Sequence, residues 1–311
     1  MVALSVVLGA SNSLAAECTS SLAPCVDAEP LWLPAGGGPF QTLPNTQATP
    51  AGEMAVELGV MLRLRPALLL APAPNREGRE VKAVGFAADG SLGWSLGLGG
   101  RWELSGAMPL GLYQSGAGIK GVTYQQAPPV ARAAVRDPRF GLGYALLNGA
   151  GELGAKARLE LKVPLGDPDA LASEATPVLC PTVALALRRT GWLLGAELGA
   201  RLRGSSTVFG SRIGSQGFIA LGIGYELAPP RVSFALEAYA LPSLVAPGDT
   251  LYLPAEWLGS VSYSPASEPE LSFGIGAGTG LPISRNDAGE SFAAFGVPAL
   301  RGFAFAQFAP D

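Results

Sequence analysis

Three patterns in this chain have spacings that elsewhere carry chemistry. Gly93-Trp94-Ser95-Leu96-Gly97 has the G-x-S-x-G spacing of a nucleophile elbow, where a strained turn exposes serine to a histidine base. Gly116-Ala117-Gly118-Ile119-Lys120-Gly121 has the G-x-G-x-x-G spacing that lets a backbone approach a pyrophosphate. Asp167, Asp169 and Glu174 offer hard oxygen ligands of the kind calcium takes. Each fails on its context. The chain holds no histidine, so the serine lacks an imidazole base and zinc lacks its usual ligands. The serine pattern sits inside an alternating run. The glycine pattern soon reaches Pro128-Pro129, with no βαβ unit around it. The acidic spacing matches no calcium loop and reads as a solvated loop. No catalytic residue, cofactor or metal is expected.

The ionisable residues that remain follow a period of two. Met54, Val56, Leu58, Val60, Leu62 and Leu64 share one face, and Glu53, Ala55, Glu57, Gly59, Met61, Arg63 and Arg65 share the other. Successive side chains of a strand point to opposite sides, so this is a strand with one apolar and one polar face. Twelve such stretches follow one another. They lie near 53–65, 90–99, 101–112, 139–146, 153–163, 255–263, 271–281 and 300–308. Two hairpins, about Arg189-Thr190-Gly191 and Ala228-Pro229-Pro230, supply the other four. The apolar faces carry no charge. The last stretch is the least regular, because Phe303 and Phe305 fall on its polar face. A row of Gly274, Gly276, Gly278 and Gly280 leaves room for a plug or a solute.

These elements define an all-β fold: a transmembrane, antiparallel, up-and-down β-barrel of about 12 strands. Glycine is 42 of 311 residues and charged residues are 15 %, while no apolar run after the N-terminus is long enough for a membrane helix. Backbone groups facing lipid must then be satisfied between strands, and that requires closure. Turns after even strands are short and loops after odd strands are long, as in barrels with short periplasmic turns. Trp102, Tyr144, Trp192, Tyr225, Tyr263 and Phe308 collect at the short-turn ends, where amphipathic rings suit the headgroup level. The net charge of −4 and the absence of a basic, aromatic-interleaved patch argue against nucleic acid.

The polar faces then line the lumen. The cations are Arg63, Arg65, Arg101, Arg139, Lys156, Arg158, Lys162, Arg188, Arg201, Arg203 and Arg301. The carboxylates are Glu53, Glu57, Glu103, Glu160, Glu197, Glu226, Glu237 and Glu256. Such a set either closes the barrel with ion pairs or lines a narrow, slightly anion-preferring pore. Residues 1–15 read as a signal peptide, with an apolar Val2–Leu8 and a small-residue cleavage site at Ser13-Leu14-Ala15. Residues 16–51 form a Pro/Gly-rich segment, loose in the periplasm or plugging the lumen, and residues 52–311 form the barrel. Cys18 and Cys25 are close enough in sequence to form a disulfide in an oxidising compartment, which leaves Cys180 as a small inward-facing residue.

Leu98-Gly99-Gly100-Arg101-Trp102-Glu103-Leu104, leading to Met108-Pro109-Leu110, resembles the barrel domains of outer-membrane proteins from myxobacteria and their relatives. Leu159-Glu160-Leu161-Lys162-Val163-Pro164-Leu165-Gly166 and Gly191-Trp192-Leu193-Leu194-Gly195-Ala196 share the likeness. Such barrels precede OmpA-type peptidoglycan-binding domains or stand alone as transporters. The resemblance implies a non-enzymatic barrel of the bacterial outer membrane, surrounded by its lipid. The leading expectation is passage of small solutes. The alternatives are a structural envelope barrel closed by ion pairs, and a receptor acting through loops 66–89 and 113–136.

Overall fold

The computed structural model describes residues 25–71, 79–119, 129–147, 152–208, 211–227, 231–245, 252–285 and 291–310. The signal-peptide reading, Cys18, the second half of the G-x-G-x-x-G pattern and the Ala228-Pro229-Pro230 turn lie outside them. Twelve strands form the wall: β1 Met54–Ala71, β2 Arg79–Gly99, β3 Trp102–Ser115, β4 Arg139–Leu147, β5 Leu153–Lys162 and β6 Val178–Arg189 come first. Then come β7 Trp192–Arg201, β8 Gln216–Leu227, β9 Arg231–Ala240, β10 Ala255–Ser264, β11 Leu271–Gly280 and β12 Leu300–Phe308.

Each strand pairs antiparallel with its neighbour in sequence, and β1 pairs β12 from Val56↔Phe308 to Leu64↔Leu300. A two-residue strand, Ala134–Val135, adds to β3 as the thirteenth member of the sheet. The ring therefore has no free edge, and its backbone groups are satisfied without water. The fold is a closed, antiparallel, twelve-stranded barrel.

Alternation sets which way each side chain points. In β6 the burial alternates strictly from Val178 to Leu185, with Cys180, Thr182 and Ala184 inside and Leu179, Val183 and Leu185 outside. Around the ring the outward positions are large and apolar, and Ile275 reaches 68 % exposure. A water-soluble monomer does not carry a continuous belt of this kind. Among the described residues, exposed charges sit only beyond the belt. Glu53, Arg101, Arg188, Arg189 and Arg231 lie at the short-turn end, and Arg65, Glu80, Lys82 and Arg132 at the long-loop end. Five of the six predicted girdle aromatics are exposed and Tyr144 is half-buried. They pair across strands, with centroids 4.7 Å apart for Trp102–Tyr144 and 5.0 Å for Trp192–Tyr225.

The structure corrects two sequence expectations. Loop 66–89 is largely strand, because β1 and β2 continue as a paired ribbon to Ala71 and Arg79. Register shifts at Leu64/Ala67 against β2 and at Ala88/Asp89 against β3 break the alternation there, so periodicity ended β1 too early and began β2 too late. The glycine row of β11 is also not vacant space. Phe305 faces Gly274 and Phe303 faces Gly276, and a Cβ added at either glycine would come within 2.2 Å of the ring opposite. The irregular apolar residues of β12 fill the notch that β11 leaves.

Leu221, at the middle of β8, is 58 % exposed. Leu221→Arg should cost about 2–4 kcal/mol of folding stability in phospholipid vesicles, as a cation at mid-bilayer does. Glu268→Arg, in the exposed β10–β11 turn, should cost nearly nothing. Guanidinium unfolding of the two variants provides the comparison, and equal midpoints would place water outside the barrel.

Candidate functional site

Residues 25–50 occupy the lumen. At the long-loop end, Asp27 pairs with Arg136 and Lys162, both at 2.6 Å. Glu29 pairs with Arg63 at 2.8 Å and Arg301 at 3.0 Å. Midway, Glu237 accepts bonds from the backbone N–H groups of Gln41 and Thr42 and from the Thr42 hydroxyl, at 2.6–2.8 Å. Near the short turns, Glu103 accepts from the Thr49 N–H and hydroxyl at 2.9 Å. The segment thus runs the length of the barrel and enters β1 through Ala51, Gly52 and Glu53, all exposed.

The wall is shaped to receive it. A Cβ on Gly97 would lie 2.1 Å from Pro50 O, and one on Gly154 would lie 2.2 Å from the Thr46 hydroxyl. Gly195 and Gly222 face Leu43 and Phe40, whose side chains leave no room for a Cβ at either glycine. Ser95 bonds the Thr49 hydroxyl at 2.7 Å. The Gly93-to-Gly97 pattern is therefore a seat for the segment. Leu31, Phe40 and Leu43 join Met61, Leu193, Phe218, Tyr239 and Leu258 in one apolar cluster inside the barrel.

The long-loop end carries a second closure. The connection between β5 and β6 folds inward, with Leu171, Ala172, Ser173 and Glu174 buried. Ala28 donates its N–H to Leu171 O at 2.9 Å, and the Asp137 carboxylate accepts from Gly166 N, Ser173 Oγ and Glu174 N. Of the acidic loop residues, Asp167 accepts the N–H of Asp169 within its own short turn. Glu174 instead points inward, where it pairs with Arg203 and lies 3.7 Å from Lys162. Gly116, Ala117 and Gly118 continue the β2–β3 ribbon: Ala117 and Gly118 donate their N–H groups to Lys82 O and Ala83 O, and Gly116 O accepts from Val130 N.

Glu57, Arg63, Glu103, Arg139, Lys156, Arg158, Glu160, Lys162, Glu197, Arg201, Glu237, Glu256 and Arg301 all point into the lumen, where their side chains are buried. Several pair wall to wall: Arg301–Glu256 at 2.8 Å, Arg158–Glu197 at 2.7 Å and Lys156–Glu103 at 3.2 Å. Arg203 lies just past β7 and bonds Gly214 O and Gln216 Oε1.

Five residues expected in the lumen are not there. Glu53 precedes β1 on the rim, and Arg101 sits in the β2–β3 turn, bonded to Leu146 O. Arg188 and Glu226 pair with each other at 3.4 Å on the short-turn rim, where the inward face already opens to water. Arg65 sits at the β1 bulge with φ of 51° and is turned out. Conversely, Asp27, Glu29, Asp89, Arg136 and Asp137 belong to the network but stood outside the sequence-derived set. A signal for them was present: the predicted wall held more cations than carboxylates, and Asp27 and Glu29 are the ionisable residues of 25–50. Cys25 is disulfide-bonded and Cys180 is free, buried and inward-facing.

No protein-family model and no curated protein sequence matches the chain. Solved structures do. An outer membrane channel from Pseudomonas putida F1 superposes with a TM-score of 0.59 at 12 % identity, over 86 % of this chain and 98 % of that one. The NanC porin follows with a TM-score of 0.48 at 9 % identity, over 83 % of this chain and all of the other. At such identities the likeness concerns the fold alone. The apolar belt, the aromatic girdle and the closed ring, together with the fold shared with the Pseudomonas putida channel, place the chain in the class of bacterial outer-membrane β-barrels.

Burial opposes the charge of Asp27, but Lys162 and Arg136 more than offset it and hold the carboxyl below its usual range. A carboxylate held low contributes stability above its unfolded pKa and loses it as pH falls through the folded value. Contacts of residues 26–33 should therefore hold at neutral pH and loosen below about pH 4. Hydrogen exchange, corrected for intrinsic rates, should show protection of 26–33 at pH 7 fading by pH 3 while β8 stays protected. Asp27→Asn should abolish that difference; unchanged protection of 26–33 in the native chain at pH 3 would contradict the assignment.

Proposed function

We propose that this protein is an outer-membrane channel for small solutes, held shut by residues 25–50 and the inward β5–β6 connection. The observation that carries this reading is the division between ring and filling. The ring is stitched by its own backbone bonds, closed through β1–β12. The filling is a separate strand of chain, held by side-chain contacts and joined to β1 at Gly52, which has φ of 78° and nothing within 4 Å of an added Cβ. It can leave without unpairing a single wall strand. With it in place, a cavity of about 50 Å³ remains at the Trp32 level and one of about 40 Å³ near the short turns. Each holds a few waters.

Twelve strands enclose more space than the roughly eight that side chains fill, and less than the 16–18 of wide porins. Removing the segment would leave a bore suited to small solutes. We also propose residues 1–15 as an export signal, residues 16–51 as the lumenal segment with its lead-in, and no enzymatic activity. The second reading is a permanently closed envelope barrel, in line with the OmpA-type resemblance. Ion pairs such as Arg301–Glu256 and Arg158–Glu197, which cross the wall without the segment, favour it.

Planar-bilayer recording separates the two. The full chain should show long closures with brief openings, and a variant lacking residues 26–48, with the inward turn 170–174 replaced by glycine and serine, should show steady conductance steps. If that variant inserts, remains heat-modifiable on SDS gels and stays silent, the channel reading is wrong and the structural one holds.

A further inference from the structure

Resting on the channel reading, we propose that residues 27–33 sit in a solute site. They would act there as a tethered stand-in for a carboxylate-bearing compound with a flat apolar body. Six cations gather near the long-loop end of the lumen: Arg63, Arg136, Arg139, Lys162, Arg201 and Arg301. The wall's Asp89 meets Arg63 and Arg136, Glu256 meets Arg301 and Glu160 lies by Arg139, while Arg201 has no carboxylate within 4.0 Å among the described residues. The segment Asp27-Ala28-Glu29-Pro30-Leu31-Trp32-Leu33 answers them with the two groups such a compound would carry. Its carboxylates each bridge two cations from different parts of the wall: Asp27 joins Arg136 to Lys162, and Glu29 joins Arg63 to Arg301. Its one aromatic ring lies under the other two, with Arg201 at 4.0 Å and Arg139 at 5.2 Å from the Trp32 ring centre, and Lys162 at 5.4 Å also faces it.

Arg201 shows that the fit is a substitute. Among the described residues this buried guanidinium has no carboxylate within 4.0 Å and donates only to Pro30 O, at 2.8 Å. Its Nε finds no hydrogen-bond partner among the described residues. Arg139 likewise donates to the Leu33 carbonyl at 2.6 Å, with Glu160 at 3.6 Å. A carbonyl answers a guanidinium less well than a carboxylate, whose two oxygens meet its fork with charge-assisted bonds. An aromatic ring against that guanidinium adds cation–π attraction. A barrel that only needed filling would be served as well by apolar side chains.

Calorimetric titration of the detergent-solubilised full chain with benzoate, benzylammonium and acetate tests this. Asp27→Asn/Glu29→Gln removes the tethered charges and should bind benzoate at least tenfold more tightly than the unaltered chain. Benzylammonium, with the same ring and opposite charge, and acetate, with no ring, should each bind at least tenfold more weakly than benzoate. Adding Arg201→Gln should cost benzoate at least tenfold. Trp32→Ala keeps the ion pairs and vacates the ring slot, so it should favour benzoate over acetate even if the double variant does not fold. Equal affinity for benzoate and benzylammonium, or indifference to Arg201→Gln, overturns the proposal. A silent bilayer with benzoate preference intact would remove the channel and keep the site, and a conducting barrel without that preference would do the reverse.

Discussion

A charged side chain cannot face hydrocarbon cheaply, and the whole structure follows from where the charges are allowed to go. Each Arg or Lys at mid-bilayer costs about 2–4 kcal/mol, so a handful would exceed the roughly 5–15 kcal/mol by which a domain is stable. Alternation along every strand solves this by sending Leu, Val, Ile and aromatic residues out and the ionisable ones in. The inside then becomes the difficult place. Thirteen predicted lumenal side chains converge there, joined by Asp89 from β2, and each needs an opposite charge or a hydrogen-bonding group. A buried charge left alone costs several kcal/mol, whereas a paired one is tolerated.

The wall answers part of that need by itself, through pairs such as Arg301–Glu256 and Lys156–Glu103. The rest is supplied by residues 25–50. Asp27 and Glu29 complete the cations near the long loops, and backbone N–H groups at Gln41, Thr42 and Thr49 satisfy Glu237 and Glu103. The fit is specific at the level of single atoms, as the glycines under Pro50, Thr46, Phe40 and Leu43 show. The filling and the ring nonetheless rest on different forces. Backbone bonds close the ring in a continuous ladder, while side-chain pairs hold the filling, and competing ions or ligands weaken those. That difference is why a blocked lumen and a channel are compatible in one molecule.

Most of the wall was legible in the sequence. Twelve strands, their polarity and the girdle aromatics follow from a period of two and from the rhythm of short and long connections, both imposed by lipid. Legibility failed where that constraint lapses. At the bulges near Arg65 and Asp89 the alternation shifts phase, so β1 and β2 run further than periodicity shows. At the rims, Arg101, Arg188 and Glu226 continue the inward pattern where water takes over from the lumen. Asp27, Glu29 and Trp32 lie in a segment with no period at all, and their role is set by tertiary contacts with five different strands or strand ends. Phe303 and Phe305 looked like errors of phase on β12 until the glycines of β11 were seen opposite them. Their partner was visible in the sequence, but only pairing of the two strands reveals the match.

The central claim is that residues 25–50 thread the lumen. Gly154 points inward from β5, and a Cβ placed there lies 3.0 Å from the Cβ of Thr46, just short of the ~3.5–4.5 Å a disulfide spans. Thr46→Cys/Gly154→Cys, oxidised in intact outer membranes, should therefore cross-link in high yield and shift the chain's mobility on non-reducing gels. A folded, heat-modifiable double variant that stays uncross-linked would mean the segment is not in the barrel, and the account of the lumen would fail with it.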